Sequence, residues 1–371
     1  MKKKVGLLTI NDYGNYGNRL QNFALQEVIK GLGFEVETVV NNSNTLPSDG
    51  SIIKKLKGKN IKDIFNKVNE RAIHKRYSNN THNRIKAFKS FTKLHIKETD
   101  FVINKNHIPE DLNSKFDYFI TGSDQVWNPI IDHRSSIDFL TFAEFHKRIS
   151  YAPSFGVSNV PSEREEEYKT WLNGVNHISV REDAGASIIK QLTGKEASVL
   201  IDPTLLLDES SWDMLINSSN IDQQGKKGTL VTYFLGDIPK EYSLMINDIA
   251  LKYNLDVINL GNIKDADTYT KDPAQFLRLI EQSELVCTDS FHGSVFSIVL
   301  EKPFIVFDRN GSLPSMNSRI ETLLNTFKLE DRYYKAIQPN NVFNLDFKES
   351  KKILQIEREK ALNFLKKALN V

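Results

Sequence analysis

Short apolar runs alternate with segments of helical periodicity along most of this 371-residue chain. Val5–Ile10 reads as a strand. Leu20, Phe23, Ala24, Val28 and Leu32 then mark one face of a helix closed by Gly33, and Phe34–Val40 reads as the next strand. A helical crossover between two strands sets them parallel, so this unit predicts a parallel sheet. Further strands are predicted at Tyr118–Thr121, Arg148–Ala152 and His177–Arg181, the last leading into a helix at about Ala184–Leu192. Ser198–Leu207 reads as a strand broken at Asp202-Pro203, because proline cannot donate to a ladder. Asn217–Gly228 is polar and reads as a linker or surface loop. The alternation then resumes with strand Thr229–Phe234, helix Glu241–Tyr253, strand Asp256–Leu260 and helix Ala274–Gln282. Strand Leu285–Cys287, a helix from Phe291 to Leu300, strand Phe304–Phe307 and an amphipathic helix Ser350–Leu369 complete the chain. The expected fold is α/β, with two Rossmann-like, doubly wound domains facing a cleft. Residues 1–205 would form the first, 206–345 the second and 346–371 a closing helix.

Composition narrows the function classes. A formal net charge of +2 is too small to suggest a nucleic-acid partner. The single cysteine, Cys287, excludes an internal disulfide and fits a reducing, cytoplasmic compartment. Lys2-Lys3-Lys4 precedes an apolar run, but that run is short and lacks a small-residue cleavage site, so it reads as a first strand and not a secretion signal. No apolar run is long enough to cross a bilayer. The charge is uneven: between Lys54 and Asp100, fourteen Lys and Arg face only Asp63, Glu70, Glu98 and Asp100. This segment is either a solvated helical face or a patch for an anionic partner, such as an acidic glycan, a lipid pyrophosphate or the inner face of the membrane through residues 54–97.

In open α/β sheets the ligand lies beyond the carboxyl ends of the strands, which selects the loops to weigh. The loop Asn11–Arg19 carries Gly14 and Gly17 ahead of a helix and offers Asn15 and Asn18 to a cleft. It matches neither the dinucleotide fingerprint nor a P-loop, and a tight turn without a ligand is the competing reading. In Gly122-Ser123-Asp124-Gln125, Asp124 either orients a substrate hydroxyl or caps a turn. Arg181 ends a strand just before a helix start, where a cation is out of place, so it calls for an anion in the cleft or for a salt bridge to an acid such as Asp202. The turn Thr288–Ser294 concentrates the most chemistry. Asp289 or Ser290 can cap the following helix, the Ser290 hydroxyl and the first N–H groups at Phe291 and Gly293 make an anion site, and His292 lies in the first turn as a candidate acid or base. The other seven histidines show no metal-ligand spacing, and no metal site is predicted.

These stretches, in order, resemble the polysaccharide pyruvyl transferase family. The matching motifs are Gly14-Asn15-Tyr16-Gly17-Asn18, Gly122-Ser123-Asp124-Gln125-Val126-Trp127, Ser150-Tyr151-Ala152-Pro153-Ser154-Phe155-Gly156, Ser179-Val180-Arg181-Glu182, Asp202-Pro203-Thr204 and Ser290-Phe291-His292-Gly293. The resemblance implies a GT-B-like fold and transfer of the enolpyruvyl unit of phosphoenolpyruvate onto two hydroxyls of a sugar. That sugar would belong to a cell-surface polysaccharide or its lipid-linked precursor. No cofactor is implied, phosphoenolpyruvate being a donor substrate. His292 maps onto the family's histidine and Arg181 onto its strand-end arginine. Many members carry an arginine where this chain has Ser290, which leaves Arg309, Arg319 and Arg19 to supply that charge. Two other readings compete: a GT-B glycosyltransferase using a nucleotide-sugar, and a glycan- or lipid-binding protein built on the basic segment.

Overall fold

The computed structural model describes residues 2–43, 72–73, 75–131, 134–219, 228–309, 318–338 and 340–371. The first half runs β1 (Lys4–Leu8), α1 (Tyr16–Gly31), β2 (Glu35–Asn41), α2 (Ser78–His95), β3 (Glu98–Ile103), β4 (Tyr118–Thr121), β5 (Arg148–Ser150), α3 (Glu165–Asn173), β6 (Ser179–Val180), α4 (Asp183–Thr193) and β7 (Ser198–Val199). Then follow α5 (Glu209–Asn217), β8 (Thr229–Tyr233), α6 (Lys240–Tyr253), β9 (Asp256–Asn259), α7 (Ala266–Tyr269), α8 (Pro273–Gln282), β10 (Leu285–Thr288), α9 (Phe291–Val299), β11 (Phe304–Val306), α10 (Ser318–Phe327) and α11 (Lys348–Leu369).

Both main sheets are wholly parallel, as the helical crossovers require. The first has the order β3-β2-β1-β4-β5 and the second β11-β10-β8-β9. Each therefore reverses its winding direction once, between β1 and β4 and between β8 and β10, and a crevice opens at each reversal. The pair β6-β7 continues the first sheet through a parallel bridge from His177 to Ile149. Central strands are short and apolar because both faces are covered: every residue of β4 and of β10 is buried. Two expected strands are shorter than their apolar runs. His177–Arg181 forms a ladder only at Ser179–Val180, and the chain beyond β7 turns at Asp202, whose side chain caps the 3-10 turn Pro203–Leu205.

The two sheets share one hydrophobic cluster that includes Leu20 and Ile120 from the first half and Phe276, Val286 and Phe296 from the second. Tyr16, at the start of α1, stacks on Phe276 with ring centroids 4.3 Å apart and donates to Lys271 O at 3.0 Å. The closing helix α11 returns to the first half, where Arg358 donates to Leu205 O at 2.7 Å and Asn370 to the Tyr118 hydroxyl at 3.1 Å. Of the basic segment, residues 54–71 lie outside the described residues. Arg84, counted among its charges, is not part of a solvated face. It is buried on α2 and donates to Gly14 O, to the Tyr16 hydroxyl and to Tyr269 O. No helix among the described residues is long and apolar enough to cross a membrane.

Candidate active site

The loops after β1 and β4 meet the start of α9 around a cavity of about 260 Å³, so the two sheet reversals open onto one space. Asn15, Asn18 and Asp124 line it from the first half; Ser290, His292, Arg309 and Arg319 line it from the second. Asn15 caps α1 by accepting from Asn18 N at 3.1 Å. Asn18 links the two loops, accepting from Asp12 N at 3.0 Å and donating to Asp124 Oδ2 at 3.4 Å.

The β10–α9 turn settles which residue caps the helix. Ser290 Oγ accepts from Gly293 N at 3.4 Å, while Asp289 turns away to accept from Leu235 N at 2.7 Å. Two of the groups expected to face an anion, Ser290 Oγ and Gly293 N, are thus bonded to each other. The amides of Phe291 and His292 stand ahead of the first intrahelical bond, from Ser294 N to Ser290 O at 3.1 Å, at the cavity wall. Gly293 is obligatory for packing, since a Cβ there would lie 2.3 Å from Thr288 Oγ1.

His292 is buried, and its Nε2 lies 3.7 Å from Asp202 Oδ2, beyond hydrogen-bond reach but within that of an ion pair. Its ring packs against α1 at Gly17, where a Cβ would lie 2.0 Å from Nδ1. Asp202 is fully buried and well supplied with donors. Thr204 N and Oγ1 bond its Oδ1 at 3.0 and 2.7 Å, and Ser123 Oγ and Arg181 Nη1 bond its Oδ2 at 3.0 and 2.6 Å. Burial alone would raise this carboxyl, but His292, Arg181 and Thr204 together hold it well below the usual carboxylate range.

Arg181 takes the salt bridge to Asp202 and does not line the cavity with His292. It lies behind Phe291, its guanidinium 4.3 Å over that ring, and faces a smaller cavity of about 150 Å³ that Asp202 and Arg319 also line. Its Nη2 reaches toward Asp124 Oδ1 at 3.6 Å, and Nη2 and Nε form no hydrogen bond among the described residues. Asp124 is likewise held low: Arg181, His292 and Arg319 outweigh the cost of its burial. Of the three arginines weighed for the place of Ser290, Arg19 points away, to Ile10 O at 2.9 Å and Glu98 Oε1 at 3.2 Å. Arg309 donates to Asp289 O at 3.3 Å on the cavity wall. Arg319 sits beside Gln125, whose amide oxygen, facing the guanidinium, accepts at 3.0 and 2.6 Å. Burial and the neighbouring Arg181 push Arg319 down to about 10, so it stays charged at neutral pH. One wall residue went unread in the sequence: Arg134 lies in a loop without periodicity, and no local pattern says which way such a side chain turns.

A parallel α/β protein with an imidazole, paired carboxylates and several guanidiniums at converging strand ends has the equipment of a group-transfer enzyme. The family model for polysaccharide pyruvyl transferase matches residues 15–311, and the chain belongs to that family of transferases. No curated protein matches it. Among solved structures it is similar to a putative UDP-N-acetylglucosamine 2-epimerase from Listeria monocytogenes, at 9% identity over 100% of this chain and 97% of that one, with a TM-score of 0.49. It is also similar to a UDP-GlcNAc 2-epimerase from Neisseria meningitidis, at 11% identity over 96% and 100% of the two chains with a TM-score of 0.45. A glycosyltransferase from Rickettsia africae gives 12% identity over 100% and 98%, with a TM-score of 0.44.

Proposed function

We propose that the chain transfers the enolpyruvyl unit of phosphoenolpyruvate to two hydroxyls of a sugar in a cell-surface polysaccharide or its lipid-linked precursor, releasing phosphate. One observation carries this reading: His292, the start of α9, Arg309 and Arg319 share a single cavity. The donor's phosphate and carboxylate suit the Phe291 and His292 amides and the two guanidiniums. Protonated His292 gives its proton to the methylene carbon, which becomes a methyl group and leaves positive charge on the adjacent carbon. A sugar hydroxyl bonds to that carbon and returns a proton to the imidazole. Cleavage of the carbon–oxygen bond to phosphate and attack by the second hydroxyl, whose proton leaves on the phosphate, close the ketal, so one donor and two hydroxyls give one ketal and one phosphate.

Asp202 sets a fixed negative charge 3.7 Å from the imidazole that gives and takes the proton. Arg181 is then a positioning residue that fixes Asp202. Asp124, steadied by Asn18, suits an acceptor hydroxyl. Phosphate release from phosphoenolpyruvate in the presence of glycan acceptors tests the reading. The wild-type protein is expected to release phosphate, and His292→Ala to lose about 10²–10⁴-fold in kcat while remaining folded. Unchanged turnover in a folded variant removes His292 from the reaction. Turnover of a nucleotide-sugar with none of phosphoenolpyruvate replaces the donor.

A further inference from the structure

Arg134 lines the same cavity as the start of α9 and Arg309. It is only 8% exposed, its Nε has no hydrogen-bond partner among the described residues, and its acid neighbour Asp138 stands 3.8 Å away, too far for a hydrogen bond. Asp138 Oδ2 is already occupied by Ser135 N at 2.9 Å. Burial also pushes the Asp138 carboxyl up to about 6, which leaves it charged at neutral pH but without a hydrogen bond to the guanidinium. The backbone beneath Arg134 is nonetheless firmly held. Arg164 donates to Arg134 O at 3.1 Å and to Pro129 O at 2.7 Å, and Arg134 N donates to Ile131 O at 3.1 Å. A buried guanidinium whose acid neighbour stands at ion-pair distance but makes no hydrogen bond to it is left short of acceptors, and a backbone held at Arg134 N and O presents it for a ligand that supplies them.

We propose that Arg134 binds a phosphate or carboxylate of the substrate in the cavity it shares with the start of α9. The assignment rests on this cavity being the substrate site proposed above. Two sources carry the same chemistry: the donor, and a phosphate on the acceptor sugar.

Binding of inorganic phosphate, phosphoenolpyruvate and a hexose 1-phosphate to the full chain, measured calorimetrically for wild type, Arg134→Gln and Arg134→Lys, tests it. Loss of a charge-assisted fork is expected to raise Kd about ten- to a hundredfold in the glutamine variant, with an intermediate rise for lysine, which keeps the charge but not the fork. Weakened phosphoenolpyruvate places Arg134 on the donor; weakened hexose 1-phosphate alone places it on the acceptor. Unchanged Kd for all three overturns the assignment. If the glutamine variant does not fold, the lysine variant is decisive, and wild-type binding by it overturns the assignment equally. Wild-type protein that ignores phosphoenolpyruvate but binds inorganic phosphate through Arg134 removes the donor reading and leaves this one standing.

Discussion

Two buried arginine–aspartate pairs flank the cavity, and they are built to opposite specifications. Arg181 and Asp202 meet at 2.6 Å, and Ser123 and Thr204 complete the carboxylate's hydrogen bonds. Arg134 and Asp138 stand 3.8 Å apart, and Asp138 Oδ2 takes a backbone N–H. Burial acts on both acids alike, yet one carboxyl is held far below its ordinary range while the other is pushed up to about 6. A single cation at 3.8 Å does not repay desolvation, whereas His292 and Arg181 close to the carboxylate, with the hydrogen bonds from Thr204, do. The first pair is a scaffold under His292. The second leaves a cation with room for a ligand.

The largest expected break in this comparison is Asp202→Ala. It strands Arg181 in the interior and should cost about 3–5 kcal/mol in denaturant unfolding, with m unchanged. A loss below about 1 kcal/mol would make the two pairs equivalent and the contrast empty. The sign with pH follows from the depressed carboxyl: its stabilisation is present above the unfolded value of about 3.9 and fades as pH falls toward the lower native value. The variant should therefore show a flatter acid limb.

Asp138→Asn comes next, with the opposite sign. A native value raised to about 6 means that wild-type stability falls as pH rises from about 3.9 to 6, on the order of 2–3 kcal/mol in all. Subtracting the asparagine variant's unfolding curves at pH 5 and pH 7.5 from the wild type's should isolate that slope, and parallel curves would remove it. Ser290→Ala is the smallest change. Loss of a helix cap should lower stability by about 1 kcal/mol while leaving the Kd for phosphoenolpyruvate within about twofold, since its Oγ is spent on Gly293 N. A large loss of donor affinity would move Ser290 from the scaffold into the binding surface.

Much of the frame was legible because period and punctuation agree. β4 and β8–β11 lie where their apolar runs predict, and the turn into α9 follows from a strand meeting a helix without a linker. The edge strand β3 was not read, because Glu98–Ile103 mixes polar and apolar residues and pairs on one side only. Arg84 fits neither reading of its segment, solvated face or patch for an anionic partner, because helical spacing reports a face, not what lies over it. At the site, position within a motif singled out His292 and Asp124, whereas the partner of Arg181 stayed open between a ligand and Asp202. That choice depends on two residues 21 apart in sequence meeting in space, which no local pattern encodes.

The seating of His292 on Gly17 divides one small environment between the two halves of the chain. The imidazole belongs to the second sheet, while its platform in α1 and its counter-charge Asp202 belong to the first half of the chain. The imidazole's surroundings therefore exist only where the two halves meet, and a substitution that loosens their shared hydrophobic cluster loosens this seat as well.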